Sequence, residues 1–213
     1  MKFALVSLIL LTSTAFAVIV DGVAISIGNR VITRSEIDQR IRLTAFLNGV
    51  QPERNPAARR EAAQRLIDQK LVEREMDLGR YPHGDAGAVG RQLIAYTKAN
   101  FDGSESALAA RAAGYGLTPP EIGADLARQA DFLSFLNLRF RPAVQVSDED
   151  IRKYFDQKFA PRLPPEQSES ALVELRGQIE EQLTTEAADR ELEIWLKDQR
   201  QRTRIQYVDN DLK

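Results

Sequence analysis

"GVAISIGNRVITRSEID", residues 22–38, decides the fold. Ile25 and Ile27 alternate with Ala24 and Ser26, Gly28-Asn29 is a residue pair that tight hairpin turns favour, and Val31 and Ile32 follow. This is the pattern of a β-hairpin. Thr33 then stands three residues before Glu36, the spacing of a capping box, so a helix is expected to start on the second strand and run to about Leu47.

A hairpin of two strands is marginal by itself. Strand character returns only at the far end, in "RIQYVD", where Ile205, Tyr207 and Val208 have no nearby partner. Ile205 to Val208 is therefore expected to add to the hairpin at residues 22–33, closing both ends of the chain into one domain.

Everything between reads as helix. Asn55-Pro56 caps and opens "AARREAAQRLIDQKLVEREMDLG", with Ala63, Leu66, Ile67 and Leu71 on one face and Gly79 at the end. Further helices are expected around "VGRQLIAYTKANF" and "SESALAARAAG", the latter closed by Gly114 and Gly116. In "LTPPEIGADLARQADFLSFLNLRFRP", Thr118 caps, Pro119 opens, Glu121 completes the box, and Ile122, Leu126, Leu133, Leu136 and Phe140 recur at helical spacing. Phe132 and Phe135 widen that apolar face. Ser147 and Asp150 cap "DEDIRKYFDQKF"; the proline-rich 160–167 cannot be helical throughout and reads as a linker. The last helix, "SESALVELRGQIEEQLTTEAADRELEIWLKDQRQR", spans about 50 Å at 1.5 Å per residue. Its apolar stripe is Leu172, Leu175, Ile179 and Leu183, resumed by Leu192, Trp195 and Leu196. The fold class is mainly α: a multi-helix domain with a small three-stranded antiparallel sheet.

Residues 1–17 read as a secretory signal. Met1-Lys2 is a positive start, Phe3 to Ala17 is apolar, and Ala15-Phe16-Ala17 is the small-x-small pattern of a peptidase site, with cleavage expected after Ala17. The rival reading, an uncleaved anchor, asks for ~20 apolar residues, more than this run has. The chain has no cysteine, which excludes a lipid-modified terminus, a disulfide-stapled fold and a thiol enzyme. Its 29 basic and 31 acidic residues balance, which argues against a nucleic-acid binder.

The signal, the "VAISIGNRVITRSEID" hairpin, "AAQRLIDQKLVEREMDLG", "GLTPPEIGADLARQADFLSFLNLRFRP" with "VSDEDIRKYFDQKF", and the terminal "WLKDQRQRTRIQYV" together resemble the SurA-type periplasmic chaperones. The specific feature is the ordered set, with strands only at the two ends. The resemblance implies a helical chaperone domain at 18–159, a linker at 160–167 where many relatives insert a parvulin isomerase, and a long helix and strand at 168–213 completing the domain. "APRLPPEQ" is far too short to hold an isomerase module, and His83 is the chain's single histidine, so no enzyme activity is expected.

What the resemblance implies is an ATP-independent periplasmic holdase for unfolded outer-membrane or other exported polypeptides. No cofactor and no stable membrane insertion after signal cleavage go with it, and the chain is expected as a monomer or a helix-exchanged dimer. An envelope assembly factor with one fixed partner and an isomerase with a reduced site are the rival functions. Tyr96, Phe132, Phe135 and Leu136 are the candidate client contacts, with core packing as the competing role for each.

Other motifs read as structural. His83 in "RYPHGD" has no second metal ligand of its kind and reads as a solvated loop residue. Gly84, Gly87 and Gly90 match neither nucleotide-loop spacing. Glu180-Glu181, Arg59-Arg60, Arg139 and Arg141 read as caps and solvated helix faces.

Overall fold

The computed structural model describes residues 21–84 and 86–213; the expected signal segment, residues 1–17, lies outside the described residues. Strand β1 (Val23–Ile27) pairs antiparallel with β2 (Arg30–Thr33) and, on its other side, with β3 (Ile205–Tyr207), giving the order β2-β1-β3. The expected closure of the chain ends is present, with Ile25 opposite Tyr207 and Ile27 opposite Ile205. Of the two hairpin-turn residues only Gly28 has positive φ, at 58°, the arrangement that asks for glycine at the first position.

β3 ends one residue before the expected boundary. Val208 leaves the strand exposed, and the N–H groups of Val208 and Asp209 both donate to the Ala24 carbonyl. The carboxylate of Asp209 then meets Arg34 at 3.2 Å and Arg59 at 3.5 Å, and Leu212 is buried in the main core. The sequence reading stopped at Val208 and missed this last anchor.

Among the described residues, seven α-helices follow the hairpin: α1 (Arg34–Asn48), α2 (Pro56–Gly79), α3 (Ala86–Phe101), α4 (Glu105–Gly114), α5 (Pro119–Arg139), α6 (Asp148–Lys158) and α7 (Ser168–Arg202). Their starts obey the capping chemistry. The Thr33 N–H donates to Glu36 at 2.7 Å and the Glu36 N–H donates to the Thr33 hydroxyl at 3.2 Å; the Asn55 side chain accepts from Ala58 N–H at 2.8 Å. The end of α2 differs from expectation: the left-handed residue is Arg80, at φ 52°. Gly79 is required for a different reason, since a Cβ there would lie 2.5 Å from the Tyr81 ring.

The main core joins the sheet to α2, the C-terminal half of α5 and the C-terminal half of α7. Phe135 is its hub, with Tyr81, Phe140 and Trp195 rings at 5.2, 5.7 and 5.5 Å. Edge-to-face contacts of this kind add to the area they bury. A second cluster ties α1 to α3 and α4 through Phe46, Leu108 and Ile122, and a third joins α6 to the start of α7 through Ile151, Phe155, Leu172 and Ile179. The linker at 160–167 folds into two 3-10 turns, Ala160–Arg162 and Pro165–Gln167, that let α7 double back on α6.

Candidate functional site

Helix α5 is apolar over too much of its circumference for a single contact. One side, with Phe135 and Leu136, is sealed in the main core. The next side faces α2 across a furrow. On α2 the furrow is lined by Arg65, Asp68, Gln69, Val72 and Met76, which recur at helical spacing and cover about 16 Å at 1.5 Å per residue. The α5 wall carries Asp125, Arg128, Gln129, Phe132 and Leu133.

Three adjoining hollows make up the furrow. The central one, about 390 Å³, is walled by Phe132, Leu133 and Leu196 with polar groups at its margin. One of about 230 Å³ leads toward Arg30 and His83, and one of about 220 Å³ leads toward Gln39 and Arg40 of α1. Leu133 is 56% exposed, an open apolar surface of the kind that marks a binding groove when polar residues rim it.

The polar side is built around Asp125, which is only 1% exposed. Its carboxylate takes Arg40 at 2.8 Å, Arg128 at 3.2 Å and the Gln129 amide at 2.8 Å; Arg40 also donates to Gln69 at 2.7 Å. A buried carboxylate needs such partners. Asp68 is gripped by Arg200 of α7 through two hydrogen bonds, at 2.7 and 2.5 Å. Burial nonetheless pushes the Asp68 carboxyl above its ordinary value, with Arg200 pulling the other way.

Of the four candidate client residues, the furrow contains only Phe132. Phe135 and Leu136, at 0% and 6% exposure, are core side chains that a client cannot reach without opening the fold; their client-contact reading gives way to packing. Tyr96 lies in the second cluster, 6.1 Å from both Phe46 and Phe101, where burial raises its hydroxyl pKa. Sequence reasoning missed Leu133, Gln69 and Arg128. Their signal was their place one helical turn or less from Phe132 or from the apolar stripe of α2.

The remaining motifs are placed as follows. His83 is not simply solvated: it sits 3.3 Å from Asp77 and 3.5 Å from Asp131 at one end of the furrow. No cluster of three or more metal-ligating side chains occurs among the described residues. The Gly84 N–H donates to Asp131 at 2.6 Å, and Gly87 and Gly90 are within α3. Arg139 stacks against Phe135, Phe140 and Trp195 and pairs with Glu75 at 2.9 Å, a structural role. Arg59 pairs with Asp38 at 2.7 Å, Arg60 donates to the Asp211 carbonyl at 3.4 Å, and Arg141 pairs with Glu181 at 2.5 Å. Among the described residues no helix is long and apolar enough to cross a membrane. No family model matches the chain, and no curated protein matches it.

Proposed function

We propose that the chain is an ATP-independent periplasmic holdase that takes extended segments of unfolded exported proteins, outer-membrane proteins above all, into the α2–α5 furrow. The observation that carries this reading is the furrow itself: an open channel about 16 Å long with an apolar middle and amide and charged margins. At roughly 3.3 Å per extended residue it accommodates about five residues. Outer-membrane strands alternate apolar and polar side chains and aggregate through their edges before insertion. Phe132 and Leu133 offer contact for the apolar set, and the exposed Gln129 amide offers hydrogen bonds to backbone. Contact over so short a segment is weak, which suits a carrier that must release without ATP. The resemblance to SurA-type chaperones and the signal-like start support the same reading.

The test is light scattering of an unfolded outer-membrane protein diluted from denaturant. The chain is expected to suppress scattering at several-fold excess, and Leu133→Lys is expected to abolish that suppression. The exposed position of Leu133 keeps the stability change within about 0.5 kcal/mol. No suppression by the unsubstituted chain, or full suppression by Leu133→Lys, overturns the proposal.

A further inference from the structure

Arg128 borders all three hollows of the furrow. The other charges there are balanced by close partners: Arg65 with Glu61 at 2.6 Å, Asp68 with Arg200, Glu73 with Arg30 and Lys70, and Asp131 with His83 and the Gly84 N–H. Arg40 and Arg128 instead share one carboxylate. Asp125 Oδ1 takes Arg40 at 2.8 Å and Arg128 at the longer 3.2 Å, while Oδ2 is occupied by Gln129. Among the described residues Asp125 is the only acceptor of Arg128, and the Nε–H groups of both arginines are buried without one. Arg128 keeps 37% of its side chain exposed, beside the apolar wall of Phe132 and Leu133.

Two guanidiniums against one saturated carboxylate leave one positive charge uncompensated at the centre of the channel. A guanidinium offers five N–H groups in a planar fork that fits a carboxylate, and partial withdrawal from water strengthens the match. We infer that Arg128 is the anchor for a carboxylate on the polypeptide held in the furrow, next to an apolar residue seated on Phe132 and Leu133. The inference rests on the holdase reading and assigns its specificity: extended segments with a carboxylate beside an apolar side chain are held in preference to uncharged ones. That carboxylate has two sources, a chain terminus or an Asp or Glu side chain.

The experiment is fluorescence anisotropy with a labelled peptide of alternating valine and threonine containing one phenylalanine. Three forms are compared: free C-terminal carboxylate, C-terminal amide, and amide with one internal aspartate. The unsubstituted chain is expected to bind the terminal carboxylate form or the aspartate form about tenfold more tightly than the plain amide, as a charge-assisted pair warrants, and the form preferred identifies the source. Arg128→Gln is expected to erase the preference while still binding the amide, and Arg128→Lys to restore part of it. Equal binding of all three forms by the unsubstituted chain, with Leu133→Lys still abolishing it, overturns the carboxylate anchor and leaves the furrow standing. A preference retained in Arg128→Gln overturns it likewise. Binding of all forms that survives Leu133→Lys overturns both readings.

Discussion

Around the C-terminal half of α7 the chain closes a core drawn from the sheet, α2 and α5, whereas around its N-terminal half one short helix, α6, does the covering. The two halves also use different sides of the same helix. At roughly 100° per residue, Leu172, Leu175, Ile179 and Leu183 fall on one face, while Ala188, Leu192, Trp195 and Leu196 fall on nearly the opposite one. The step of five residues from Leu183 to Ala188 makes the turn. A single continuous helix can thus belong to a dense body at one end and to a thin hairpin at the other. The difference predicts that the thin end opens first, because local stability follows the number of buried apolar neighbours.

The largest effect is expected at the dense end. Phe135 is fully buried and touches three aromatic rings, so Phe135→Ala leaves a cavity that its rigid neighbours cannot fill. A loss of about 3–5 kcal/mol is expected, read as a lowered urea midpoint seen equally by Trp195 fluorescence and by circular dichroism. Cooperative loss at both probes is the signature of a hub. A fluorescence change that precedes the loss of helix would place Phe135 outside the shared core.

Phe155→Ala removes the corresponding side chain of the thin end, where Phe155 is buried against α7 and stacks on Phe159 at 6.0 Å. The substitution is expected to open α6 by about 3 kcal/mol while leaving the main body folded. Amide exchange should rise across Asp148–Lys158 and in the first turns of α7, with α2 and α5 still protected. Furrow binding is expected to persist, since none of the lining side chains belongs to α6. Equal loss of protection in α2 would show that the two ends unfold as one.

These contrasts also show what the sequence makes legible. Helix starts were readable because their chemistry is local: Thr33 with Glu36, Asn55 before Pro56 and Ser147 with Asp150 each announce themselves within four residues. The third strand was readable by elimination, because a hairpin needs a partner and only Ile205 to Tyr207 could supply one. The change of face along α7 is also written in the spacing, once the angle is followed rather than the hydrophobicity alone. The site was far less legible. Phe132 and Phe135 stand three residues apart on one helix, yet the first borders the furrow and the second is sealed. That difference is imposed by Tyr81, Phe140 and Trp195, which come from other parts of the chain. The excess charge at Arg128 was hidden for the same reason, since Arg40 and Asp125 meet only in three dimensions.

The smallest effect is expected at the two caps, and it separates the regions by pH. In α6 the Ser147 hydroxyl and N–H hold the Asp150 carboxyl below its ordinary 3.8. At the start of α5, burial raises the Glu121 carboxyl, but the Thr118 N–H and hydroxyl and the Gln39 amide together bring it below 4.5. Both groups are depressed in the folded state, so each contributes stability present above its ordinary value and lost as pH falls through the folded one. Exchange protection in α6 is therefore expected to shrink as pH falls from about 5 to about 3, and Asp150→Asn to flatten that dependence. Glu121→Gln should flatten the acid limb of the global urea midpoint instead, because α5 belongs to the dense body and its N-terminus cannot loosen alone. Should Asp150→Asn alter the global midpoint as much as Glu121→Gln does, the thin hairpin would be an integral part of the core, and the opposed faces of α7 would seal a single cooperative unit.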